Sequence, residues 1–300
     1  MNKFKIYTTP VNTLATLEKG ATSDDHGESL LTPRTTFSEC SSSQDFSIGF
    51  SLNTNLGESG YITKLAVGYL LTVTVQTKSP NKHTIKKVLE EKLDKLCVST
   101  GVEDKSQLPK SLVSSYKIEA HAEVLSKTDP NTPKEVHILV RGNGQCFIGT
   151  TSKRELSAIL LLLQETFGIS PVPYSFDEEG NIPNFLDSSI QDGLCSKITL
   201  GGKAKVYTAE ENIINYKGDL YSTDITNVVS DNGCVINVEL EYDGTTIFTL
   251  DDALTFTGVK FSKALTASST DEDVLSTTLI KYTELCDTVD LVVDSIKNTK

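Results

Sequence analysis

Three hundred residues, 38% hydrophobic and 23% charged, make a chain long enough to bury a substantial core without disulfides or a structural metal. No stretch approaches 18 consecutive apolar residues, so no membrane-spanning helix is expected, and Met1 to Leu14 lacks the apolar run of a secretory signal. The net charge of -12 argues against a uniformly basic nucleic-acid binder.

That charge is unevenly spread. Residues 1–77 carry 5 basic and 7 acidic groups, residues 78–154 carry 14 and 9, residues 155–200 carry 1 and 7, and residues 201–300 carry 8 and 17. A basic middle therefore adjoins an acidic C-terminal third. Such a chain can offer phosphates a local positive surface while staying acidic overall; the competing reading is a set of solvated helix faces. Two regions are expected: residues 1–175, α+β and holding the basic segment 78–154, and residues 176–300, acidic, mostly β and ending in a long helix. The six cysteines are far apart and show no C-x-x-C spacing, which favours reduced buried thiols over a zinc site.

In chain order, the alternation from Lys3 to Thr8 predicts an opening strand, and residues 20–36 read as a long loop. Residues 37–50 are serine-rich with isolated aromatics, and residues 51–60 read as a loop. Tyr69 to Val75 predicts a strand buried mainly on one face. After Ser79-Pro80, the stripe Ile85, Val88, Leu89, Leu93 and Leu96 predicts a helix from Thr84 to Cys97. The alternation Tyr116, Ile118, Ala120, Ala122 and Val124 predicts a strand, with Lys117 on its polar face. Residues 136–141 and 145–150 predict a hairpin about Gly142-Asn143-Gly144.

Ser152 with Glu155 has the form of a capping box opening a helix to Phe167, with Gly168 as its stop. Residues 197–200 and 203–207 predict two short strands about Gly201-Gly202, and Thr208 with Glu211 predicts a short helix to Asn215. Asp243-Gly244 is the strongest turn signal, joining strands 235–241 and 246–250. A strand follows over 254–261. Ser269 or Thr270, with Asp271-Glu272-Asp273, caps a final helix.

No phosphate-binding glycine loop, nucleophile elbow or zinc-protease motif occurs. The acidic pairs Asp24-Asp25, Asp177-Glu178-Glu179, Asp251-Asp252 and Asp271 to Asp273 fall in predicted loops or at a helix start. They read as solvated or capping acids, although carboxylates gathered around divalent ions would make a nuclease. His121 and His137 read as structural. The remaining functional signal is the basic segment, where Lys82, Lys86, Lys87, Lys117, Arg141, Lys153 and Arg154 are the candidate DNA-phosphate contacts. No catalytic residue, metal site or cofactor is expected.

The order of motifs resembles the RdgC family of recombination-associated DNA-binding proteins of bacteria and some phages. Phe37-Ser38-Glu39-Cys40-Ser41-Ser42-Ser43-Gln44-Asp45 with Gly49-Phe50 resembles its early Phe-x-Pro-Cys-Gly-Ser-Gln stretch and later Gly-Trp. Leu70 to Lys78, then Ile85-Lys86-Lys87-Val88-Leu89 and Lys92-Leu93, resemble its strand and lysine-bearing helix. Cys146 to Thr150, the helix from Lys153, and Gly168 to Pro173 resemble its strand, helix and proline run. Val113-Ser114-Ser115-Tyr116-Lys117 lies where the family has Leu-Pro-Arg-Ala-Phe, so one basic contact persists as Lys117. The chain reads as a divergent member, of bacterial or phage origin.

The resemblance implies an α+β fold with mixed or antiparallel sheets and packed helices. It also implies a ring-shaped homodimer around double-stranded DNA, with no sequence preference and no catalysis, in the cytoplasm with the nucleoid. Partners would be duplex DNA, a second copy and a recombination or DNA-processing protein, not a membrane. Two other readings stay open. One is a viral-type inhibitor or interaction module working through its acidic surface; the other is a metal-dependent nuclease.

Overall fold

The structure, a computed structural model, describes residues 1–10, 14–54, 60–176, 181–191, 194, 197–266 and 274–299. The first half runs β1 (Phe4–Thr8), α1 (Leu14–Thr22), β2 (Phe46–Ser51), β3 (Ile62–Leu65), β4 (Gly68–Thr77), α2 (Lys82–Thr100), α3 (Lys110–Ser126), β5 (Lys134–Arg141), β6 (Gln145–Ile148) and α4 (Lys153–Phe167). The second runs β7 (Val172–Pro173), α5 (Asn181–Gln191), β8 (Ile198–Tyr207), β9 (Ile213–Lys217), α6 (Ile225–Ser230), β10 (Cys234–Tyr242), β11 (Thr246–Asp251), β12 (Thr255–Phe261) and α7 (Val274–Asn298). This is the α+β class expected from the sequence, with seven helices among the described residues.

The chain forms two compact units. One comprises Met1–Thr32, Leu52–Thr72 and Val136–Lys300; the other comprises Pro33–Ser51 and Val73–Glu135. The larger unit carries a broad antiparallel sheet ordered β4-β5-β6-β1-β12-β11-β10-β8-β9, with β3 on β4 and β7 on β1. At the joint of β1 and β12, Phe4 pairs with Phe256 and Lys5 with Thr255, and Val259 N donates to Asn2 O at 2.9 Å just beyond.

A row of aromatic rings crosses that joint. Phe147 of β6, Phe4 of β1, Phe256 of β12 and Phe248 of β11 stack in succession, with centroids 5.2, 4.7 and 5.2 Å apart. Neighbouring strands lie about 4.8 Å apart, so same-face rings on successive strands meet at stacking distance. All four are fully buried.

Over the larger unit's core lies α7, whose Tyr282, Leu285, Cys286, Val289, Val292, Val293 and Ile296 recur at three- and four-residue steps and are buried. The smaller unit combines the second half of β4, its neighbour β2, and the α2–α3 helix pair. Gln76 Oε1 accepts from Cys40 N at 2.8 Å and Asn131 N donates to Thr77 O at 2.8 Å, tying its loops to β4.

Several local expectations hold. The Asp243-Gly244 turn has φ of 47° and 67°, the double positive φ that a two-residue type I′ hairpin requires. The lysine-bearing helix forms as α2, and the hairpin about Gly142 to Gly144 forms as β5 and β6.

Others are corrected. The Tyr116–Val124 stretch is helix α3, not a strand. Its alternation does not sort buried from exposed residues: Ala120, Val124 and Leu125 are buried at helical spacing, while Ile118 is 69% exposed. Helix-favouring Ala, Glu, Lys and Leu, and the neighbouring α2, decide the outcome. The predicted break at Gly201-Gly202 is absent, and β8 runs through it. The missing side chains leave room for Glu239, whose Oε2 accepts from Gly202 N at 3.0 Å and Oε1 from Lys203 Nζ at 2.6 Å.

The helix predicted from Thr208 is a turn, with Glu211 N donating to Thr208 O, followed by β9, which pairs with β8. The Ser152 side chain makes no cap bond; Glu155 instead accepts from Thr150 Oγ1 at 2.6 Å. β4 is buried on both faces, and residues 20–22 of the stretch predicted as loop form the end of α1. The Ser269–Asp273 cap and the acids Asp177 to Glu179 lie outside the described residues.

Because the Phe row bridges a joint of two residue pairs, Phe4→Ala should lower unfolding free energy by about 3–5 kcal/mol. Urea denaturation would show this as a fall in midpoint.

Candidate nucleic-acid interface

Ser79-Pro80 ends β4 and Asn81 opens α2, its side chain accepting from His83 N at 2.8 Å and Thr84 N at 3.4 Å. Only Leu93 of α2 is buried, so most of the helix faces solvent. Apolar residues pack α2 on α3, and charge reinforces the pairing: Lys92 Nζ lies 3.2 Å from Glu123 and 3.7 Å from Glu119. Lys127 adds a 2.8 Å contact to Glu123, and hydrogen bonds from Lys127 and Lys92 hold that carboxyl below its ordinary pKa.

These pairings sort the basic residues of the unit. Lys86 pairs with Glu90 at 3.8 Å and Lys105 with Asp94 at 2.6 Å. Among the described residues, Lys82, Lys87, Lys95, Lys110 and Lys117 are exposed and hold no ion pair. Three of them are candidates from the sequence. Lys95 and Lys110 were missed, although both lie in the same basic segment. Lys117 sits on α3 rather than a strand, so it shares the two-helix unit with Lys82 and Lys87. The smaller unit carries 12 Lys and Arg against 11 Asp and Glu; the larger carries 16 against 29.

The other three candidates belong to the larger unit. Lys153 and Arg154 open α4 and are exposed. Arg141 is different: its Nη1 and Nη2 donate to the two carboxylate oxygens of Asp290 at 2.6 and 2.7 Å, and Nη1 also donates to Gln145. The guanidinium lies 5.6 Å over the Phe147 ring, and the side chain is only 12% exposed.

Four residues before Arg141 on β5, His137 Nδ1 meets the Tyr282 hydroxyl at 2.7 Å. Four strand residues span about 13 Å and eight helical residues about 12 Å. The two clasps, His137–Tyr282 and Arg141–Asp290, therefore fit one helix laid along one strand. Arg141 is an anchor for α7.

The described acidic pairs serve local turns. Asp25 accepts from Ser23, Gly27 and Ser29, and Asp251 Oδ1 accepts from Ala253 N and Thr255 N. Among the described residues no three His, Cys, Asp or Glu side chains come together as a metal cage. Burial pushes the Cys146 and Cys286 thiols up to about 12, so neither is a ready nucleophile. No helix among the described residues is long and apolar enough to cross a membrane.

A family model described as "Putative exonuclease, RdgC" matches residues 19–279. The chain belongs to the RdgC family. RdgC membership supports recombination-associated DNA binding as the general function. No curated protein matches the chain. The segment Val113 to Lys117, where RdgC proteins have Leu-Pro-Arg-Ala-Phe, forms part of α3 with Lys117 exposed.

Arg141→Gln leaves the Asp290 carboxylate without its bidentate partner and should cost about 1–3 kcal/mol of stability. Urea denaturation would read that loss, and Lys87→Gln, at an exposed unpaired lysine, should leave the midpoint near wild type.

Proposed function

We propose that this RdgC protein is a non-catalytic, sequence-nonspecific binder of double-stranded DNA. In this reading it acts as a homodimer that encircles the duplex and limits the access of recombination or other DNA-processing proteins, in the cytoplasm with the nucleoid. The observation that carries the reading is the set of exposed, unpaired lysines on the α2–α3 unit, in a chain that is otherwise acidic. Ammonium groups on flexible stems neutralise phosphates without reading bases, and the released counterions make such binding salt-sensitive.

The proposed contacts are Lys82, Lys86, Lys87 and Lys117, joined by Lys95 and Lys110. Lys153 and Arg154 form a second basic group at the start of α4, where the positive end of the helix dipole also favours anions. Arg141 drops out of the set because Asp290 already occupies its guanidinium. A second reading has its own observation: the larger unit's excess of acids over bases suits a basic protein partner.

Anisotropy titration of a fluorescent duplex, with Mg²⁺ and Mn²⁺ present and the products run on a gel, separates the alternatives. Affinity should fall steeply with salt while the DNA stays intact. Lys87→Glu with Lys117→Glu should weaken binding at least tenfold and flatten the salt slope by about two. Absence of binding at low salt would overturn the DNA reading in favour of a protein partner, and shortened DNA would restore the nuclease.

A further inference from the structure

The N-terminal half of α7 walls a pocket of about 170 Å³ within the larger unit. Its lining combines polar Lys281, Thr278, Tyr282 and His137 with apolar Phe261 and Leu285, and with Met1, whose α-amino group is buried near Lys281. Among the described residues no carboxylate lines it. Lys281 is partly buried and, among the described residues, holds no ion pair. Burial, then the Lys281 charge, lowers the pKa of the Met1 α-amino group, so two like charges lie close at this end of the pocket, and a bound anion relieves their repulsion.

The Tyr282 hydroxyl is fixed by His137 Nδ1 at 2.7 Å, and burial raises its pKa, so the phenol stays protonated beside the ammonium. The size is informative too. A cavity of about 150 Å³ takes a benzene ring, so this pocket has room for a ring-sized apolar body against Phe261 and Leu285. Lys281, the buried Met1 α-amino group and the flanking hydroxyls make an anion-accepting end, and the apolar lining favours an anion that carries an apolar body over inorganic phosphate.

We propose that this pocket binds a small organic carboxylate, its carboxyl group at Lys281 and Thr278 and its apolar body against Phe261 and Leu285. The site belongs to the larger unit and does not depend on the DNA reading.

Sodium benzoate is the probe, titrated into the full-length protein and followed by saturation-transfer NMR and calorimetry. Benzyl alcohol serves as the uncharged control and inorganic phosphate as the anion without an apolar body. Saturable benzoate binding is expected, at least tenfold tighter than either control. Lys281→Gln should weaken it at least tenfold, while Lys297→Gln, at an exposed lysine further along α7, should leave it unchanged. Thr278→Phe, which fills the pocket from a partly exposed position, should abolish binding without removing a core side chain. No saturable benzoate binding would overturn the proposal. So would equal binding of benzyl alcohol or phosphate, or undiminished binding by folded Lys281→Gln protein.

Discussion

The larger unit depends on how its sheet is held together at β1 and β12. That joint has two register pairs and one further backbone bond, from Val259 N to Asn2 O. The stacked rings of Phe147, Phe4, Phe256 and Phe248 supply continuity across the joint. From the core face, α7 supplies the rest. It is clasped to β5 by Tyr282 and Asp290, and Glu284 accepts from Thr245 in the hairpin turn between β10 and β11. One helix thus touches strands on both sides of the joint, and the matched rise of strand and helix lets both β5 clasps form without distortion.

The smaller unit is built on another balance. Its helix pair has little buried apolar surface, and salt bridges between α2 and α3 draw on the lysines that would otherwise be available to a ligand. Which lysines remain is therefore a consequence of how the helices pair. Lys92 and Lys127 meet Glu123, whereas Lys87 and Lys117 are exposed and, among the described residues, hold no ion pair. Exposed ion pairs contribute little stability, so free lysines cost the unit little and are well suited to recruiting phosphates. The RdgC family relation and this surface point the same way.

Much of the local structure was legible in the residues. Asp243-Gly244 determines its hairpin because its φ values are all but reserved to such residues, and the stripe of α2 is unmistakable. The family relation was legible too, because short motifs occur in order along most of the chain. The failures share a cause. Tyr116 to Val124 alternates in hydropathy, yet small alanines satisfy both periods, and only the packing against α2 selects the helix. Gly201-Gly202 reads as a break until Glu239 of β10 is seen lying across it. Ser152 has the right spacing to cap α4, but Thr150 reaches Glu155 first.

The candidate interface divides along the same line. The sequence by itself determined that positive charge concentrates in residues 78–154, since charge is a property of side chains wherever they sit. Only the tertiary structure decided which of those charges are free to act. Arg141 is adjacent in sequence to nothing that would neutralise it, yet Asp290, 149 residues away, accepts from both Nη1 and Nη2 of its guanidinium. Coulomb attraction and desolvation depend on distance and burial, and those are set when α7 settles onto β5.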